Sequence, residues 1–348
     1  MLQQEEKVFI DMERSTKRKR NHNFDGLKGI ACIAVVFMHC EFPGTTGVIV
    51  QCLTRWAVPL FFAISGFFFR KEDIAYCLNK AKHIVGITLW ASVFYTIFEI
   101  IFHIWIGDLV AYTLAEFSIT NLLAFAVFNS PMFINGHLWF LFALIYVYLF
   151  CALLIKLNLL RYRKVLCIAL MSMHFVVAYG GYLLGFTIPG GVYRNFLLEG
   201  VPCFLIGNIV YLWSYKRGKE QKAVYVRYGS IFTCVGLVVS LIERKILGRD
   251  FSVHMASILV LIGMLLVVVQ NCKNYFPQCI VDLGRKYSMM IYILHPAVYM
   301  VCDSIFLGQL NPNPIYTWIR PVSTLILTII ISVVFTGIKE TVKGGKVY

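Results

Sequence analysis

The chain has 348 residues, of which 59% are hydrophobic, 15% aromatic and only 14% charged. A soluble domain carries about 25% charged residues, so the composition excludes an ordinary soluble enzyme and predicts a polytopic membrane protein. The formal net charge of +14 comes from 32 Lys and Arg against 18 Asp and Glu. In a membrane chain that excess belongs to cytoplasmic loops rather than to nucleic acid, and its field favours an acidic substrate on that side.

Residues 1–23 are polar and end in the run Lys17-Arg18-Lys19-Arg20, a basic tail that places the N-terminus in the cytoplasm. No small-residue cleavage site follows the first apolar run convincingly, so that run is expected to stay in the mature protein. Apolar segments then recur at roughly 26–42, 48–69, 84–106, 136–155, 165–184, 195–215, 225–242, 252–271, 287–308 and 319–338. Each is close to the roughly 20 residues that a spanning helix needs. The expectation is an all-α frame of about ten transmembrane helices over 24–338, with both termini, including the tail 339–348, cytoplasmic.

Residues 116–129 are apolar but short, which predicts an interfacial or re-entrant helix. With the N-terminus inside, all Lys and Arg fall on the inner side except Arg55, Arg194, Arg244, Lys245, Arg249 and Arg320. That bias satisfies the positive-inside rule. The eleven Cys lie mostly in or beside apolar segments and form no C-x-x-C pair, so they read as apolar fillers rather than zinc ligands or a disulfide framework. No metal site is expected.

Residues 24–43, FDGLKGIACIAVVFMHCEFP, differ from a plain anchor because Asp25 and Lys28 stand at one end and His39 and Glu41 near the other. An ionisable group near the bilayer centre costs roughly 2.5–3.5 kcal/mol on insertion scales and marks a candidate site. At about 100° and 1.5 Å per residue, the steps from Lys28 to His39 return to nearly one face over roughly 16 Å. Asp25, Lys28, Cys32, Val35 and His39 therefore form a stripe, and Glu41 falls on the opposite face. Neutral imidazole is the usual general base near pH 7. The competing readings are a hydrogen-bonded packing role for His39 and helix-start roles for Asp25 and Lys28.

Other segments carry further candidates. Pro59 in VPLFFAISGFF frees backbone carbonyls, and Ser65-Gly66 allows close helix approach. Arg55 reads either as an interfacial anchor or as a substrate contact, and Trp139 in HLWFL as a belt residue or a substrate contact. In RNFLLEGVPCFLIG, Arg194 is a possible mate for the buried acid Glu199, which reads either as half of a structural ion pair or as a site residue. Glu99 and His103 are spaced to pair with each other, and His174 is expected to be structural. Ser288 and His295 share a face, and Pro296 predicts a kink beside the imidazole. Arg285 and Lys286 lie on the inner side, within reach of phosphate or as ordinary positive-inside residues.

Taken in order, FDGLKGIACIAVVFMH, PLFFAISGFFF, HLWFL and LGRKYSMMIYILHP resemble the acyltransferase-3 family of integral-membrane acyltransferases. The resemblance runs from about residue 24 to 338. It implies transfer of an acyl group, usually acetyl from cytoplasmic acetyl-CoA, to a hydroxyl of an extracytoplasmic sugar or lipid-linked glycan. A bacterial plasma membrane is the expected setting. The family's first-helix signature, a basic residue and a His separated by ten positions, is matched by Lys28 and His39, with Lys in place of the commoner Arg.

On this reading His39 is base or transient acyl acceptor, with Asp25 and Glu199 as supporting acids. Lys28 and Arg285 hold the CoA phosphates, while Arg55, Ser65, Trp139, Arg194 and His295 face substrate. Two other classes stay open: a transporter or exporter using the same buried polar groups, and a membrane sensor or scaffold.

Overall fold

The computed structural model describes residues 21–116, 118–121, 123, 136–185, 188–216, 222–247, 255–269, 274–306 and 314–344. Among them every regular element is helical. The long elements are α1 (His22–His39), α2 (Gly44–Thr54), α3 (Ala57–Phe67), α4 (Ile74–Ile106), α5 (Leu109–Glu116) and α6 (Trp139–Lys156). They continue as α7 (Arg163–Leu183), α8 (Val201–Lys216), α9 (Lys222–Leu247), α10 (Met255–Val269), α11 (Ser288–Phe306) and α12 (Pro314–Gly344).

All ten apolar stretches fall on helices. Eight helical spans among the described residues are long and apolar enough to cross a membrane, with α2 and α3 together forming one of them. The other two are α1, whose first turns are polar, and α10, a short apolar helix of 15 residues. The stretch 116–129 lies largely outside the described residues. The ten described cysteines are free thiols, and all but Cys234 and Cys279 are buried.

Helix α1 is the hub. It packs against α2, α3, α10, α11, α12 and the short helix Gln278–Asp282. Asn21 caps its start by accepting from the Asn23 amide at 3.0 Å, and Asp25 adds a negative charge where the helix dipole welcomes it. Two close approaches fix its neighbours. A Cβ on Gly284 would stand 1.8 Å from the Asp25 carbonyl oxygen, so only glycine lets the turn Leu283–Tyr287 seat on α1. Gly66 meets the Phe204 carbonyl at the same hypothetical distance, which brings α3 onto α8. The small residues of the second span thus serve helix packing, as their spacing predicts.

Three prolines interrupt backbone ladders. Pro59 has no N–H for the carbonyl of Arg55, and the second span breaks at Arg55–Trp56. Pro202 leaves the Leu198 carbonyl without its helical donor, and the segment Phe196–Gly200 winds as a π-turn. Pro296 leaves the Tyr292 carbonyl likewise. One residue along, the Tyr95 hydroxyl from α4 enters the ladder: it donates to the Ile293 carbonyl at 2.5 Å and accepts from the Ala297 amide at 3.3 Å. This contact pins α4 to α11 near mid-depth.

Candidate active site

Two cavities lie along α1, one toward each end. The outer one, about 370 Å³, collects His39, Glu41, Gln51, Arg55, His137, Trp139, Arg194, Glu199 and Tyr292 around its polar wall. The inner one, about 190 Å³, is bounded by Lys28, Ser65, Ser288 and the apolar side chains Phe61, Ile64, Phe140, Leu144 and Met289. Tyr292 lines both and so forms the wall between them. Its hydroxyl donates to the His137 carbonyl, which ties α11 to the start of α6 at that wall.

His39 is the last residue of α1 and faces the outer cavity. Its ring centroid lies 5.3 Å from that of His295, and His295 lies 5.4 Å from His137. His295 is fully buried, and its Nδ1 stands 3.1 Å from the Ile291 carbonyl. A carbonyl only accepts, so Nδ1 carries the proton and Nε2 keeps a lone pair. Among the described residues that Nε2 has no hydrogen-bond partner. The residue expected to touch substrate therefore sits behind His39, ring against ring, outside the residues that line the cavity.

Glu199 is only 2% exposed and belongs to the π-turn Phe196–Gly200. Asn195 holds that turn by accepting from the Leu197 and Leu198 amides at 2.9 and 3.0 Å. Among the described residues the Oε2 atom of Glu199 has no hydrogen-bond partner, although Glu199 lines the same cavity as His39, Arg55 and Arg194. The proposed Arg194–Glu199 ion pair does not form. Arg194 instead lays its guanidinium over Trp139, 5.4 Å from the ring centroid. Arg55 donates to Gln51 at 3.3 Å, and Gln51 in turn donates to Glu41.

Several expectations change at the ends of α1. Asp25 is 3% exposed, pairs with Lys28 at 3.6 Å and lines neither cavity, so it supports the amine rather than the imidazole. Glu41 does not lie on a far face. The helix stops at His39, so the 100° rotation no longer applies to Glu41, which turns into the outer cavity. Arg285 is held by Asp282 at 2.7 Å and lines neither cavity.

Ser65 does face the inner cavity, with its hydroxyl proton given to the Phe61 carbonyl at 2.9 Å. Glu99 pairs with His103 at 3.4 Å, and the buried His174 bonds the Tyr193 carbonyl at 3.1 Å, as structural roles require. Gln51 and Tyr292 went unassigned from sequence. Tyr292 had one legible signal, because it stands four residues before Pro296. Among the described residues, no group of three or more His, Cys, Asp or Glu is arranged to hold a metal ion.

A comparison with known families agrees with the motif order. The acyltransferase-3 profile, described as an acyltransferase domain, matches residues 21–337. This chain belongs to the acyltransferase-3 family. No curated protein and no solved structure matches it. Membership makes it a membrane acyltransferase, and its spans make it a multi-pass integral membrane protein.

Proposed function

We propose that the protein takes a short acyl group, acetyl in the simplest case, from cytoplasmic acyl-CoA and places it on a hydroxyl of an extracytoplasmic carbohydrate or lipid-linked glycan. The observation that carries this reading is the pair of cavities on one helix, divided by Tyr292. Lys28 supplies an amine toward the basic face, where it attracts the CoA phosphates. The inner cavity, apolar except at Lys28, Ser65 and Ser288, suits the slender thioester arm. The outer cavity falls within the about 300–1,000 Å³ typical of ligand sites, and its polar groups suit an acceptor rich in hydroxyls.

His39 removes the proton from the acceptor hydroxyl as that oxygen attacks the thioester carbonyl. The carbon–sulfur bond then breaks, and the proton passes from the imidazolium to the departing thiolate. Arg55 and Arg194 lie where they offset charge developing on the carbonyl oxygen. Glu199 offsets the positive charge on His39. His295 backs that ring at 5.3 Å, and its unpartnered Nε2 lone pair is available to take the His39 N–H once the ring turns toward it, leaving the other nitrogen for the hydroxyl. This role replaces substrate contact for His295, and Arg285 drops out of the donor site. Asp25 keeps Lys28 in place.

The test is sided. Protein in proteoliposomes receives acyl-CoA on the basic face only and a carbohydrate acceptor on the other. Acyl ester on the acceptor, matched one to one by released thiol, is the expected outcome. Movement of acceptor or acylated product without thiol release overturns the reading in favour of a transporter.

A further inference from the structure

A third cavity, about 700 Å³, opens between α4, α11 and α12, away from the two that follow α1. Its walls are Ile87 and Trp90 of α4, Met290 and Ile293 of α11, and Phe335 of α12, with Met289 shared with the inner reaction cavity. Three chain directions agree on its depth. The start of α4, the start of α11 and the end of α12 all lie toward the basic face, so His83, Lys286 and Thr336 form its rim there. Trp90 and Ile293 are each seven residues further along their helices, roughly 10 Å deeper. The groove ends near the Tyr95–Ile293 hydrogen bond that pins α4 to α11. Gly86 widens the mouth, for an added Cβ would meet nothing within 4 Å.

The two rim residues are what distinguish this groove from ordinary lipid-facing surface. Among the described residues, neither Lys286 nor His83 has an ion pair or a side-chain hydrogen bond. Arg285, the sequence neighbour of Lys286, is by contrast engaged by Asp282. Lys286 does not face the donor cavity. An ammonium and an imidazole N–H above a deep apolar slot match an anionic head on a hydrocarbon tail. Trp90 and Met289 are exposed, so the slot is entered from the bilayer rather than from bulk water.

We propose that this groove is a binding site for an anionic phospholipid of the inner leaflet, with its phosphate on Lys286 and His83 and an acyl chain along Trp90, Met290, Ile293 and Phe335. The full chain is equilibrated in detergent with equimolar phosphatidylglycerol and phosphatidylcholine, and retained lipid is read by native mass spectrometry. The wild type is expected to keep phosphatidylglycerol preferentially. Lys286→Gln should weaken that preference about fivefold, in line with the contribution of one surface cation. The pair Lys286→Gln and His83→Gln should abolish it. Gly86→Phe fills the mouth without removing charge and should lower retention of both lipids. Unchanged phosphatidylglycerol retention in the double variant overturns the site. Displacement of the lipid by a long-chain acyl-CoA that is then turned over also overturns it, since the groove would belong to the donor's chain. None of the varied residues, His83, Gly86 and Lys286, belongs to the proposed catalytic machinery, so failure here leaves the acyl-transfer reading standing.

Discussion

The two cavities on α1 share a helix and a dividing side chain but differ in almost everything else. The inner one presents a single amine against Phe, Leu and Ile, with only serine hydroxyls beside it. The outer one converges two guanidinium groups, two carboxylates and two imidazoles on a space twice as large. A passage needs few polar groups, because each desolvated one must be matched. A reaction centre needs several, aimed where charge appears and disappears. On the proposed reading, Glu199 Oε2 and His295 Nε2, unpartnered among the described residues, serve the second kind of site. A buried polar atom left unsatisfied costs about 1–3 kcal/mol, and a site that uses the atom during reaction is a physical reason to retain it.

That contrast can be broken at either end. His39→Ala should reduce kcat by about 10²–10⁴-fold, the usual share of general acid–base catalysis, while donor KM changes little. Full transfer activity in that variant would remove His39 from the mechanism. Lys28→Ala should act the opposite way, raising donor KM about ten- to a hundredfold, as the loss of a charged contact predicts, with kcat nearly intact. Lys28→Arg should restore most of it. A kcat effect from Lys28→Ala with normal KM would deny the inner cavity its role as a donor seat.

The wall itself gives a smaller, sharper test. Tyr292→Ala should join the cavities and raise thiol release without acceptor severalfold, because water then reaches the thioester. Tyr292→Phe keeps the ring and loses only the bond to His137, so it should not raise that release. Equal uncoupling in both variants would assign the effect to the hydroxyl instead of the wall. Smallest of all, Arg285→Ala should change donor KM by less than about twofold, since its guanidinium already serves Asp282.

The sequence was most legible where one helix contains the whole relationship. Lys28, His39 and their separation follow from helical rise and rotation alone, and both residues face cavities at the predicted ends of α1. The same arithmetic failed at Glu41, two residues later, because it assumes a helix that has already ended. Arg285 and Lys286 show a different limit. They are adjacent in sequence, yet one is held by Asp282 and the other lies at the rim of a separate groove. Charge and position cannot separate two such neighbours; only the surrounding helices do.

By itself, the order of residues determined the membrane class, the helical frame of about ten segments, the basic face and the ruler between Lys28 and His39. These depend on composition and on local geometry, which repeat every turn whatever the rest of the chain does. Only the tertiary structure decided that His295 is the ring behind His39, that Glu199 stands without Arg194 as its mate, and that Tyr292 divides the path. The His39–His295 and Tyr292–His137 contacts join segments more than 150 residues apart, and even Arg194 and Glu199, close in sequence, are set by what packs around them. They arise where glycines let backbones meet and prolines break ladders, so that packing, which no single segment encodes, sets which side chains face one another.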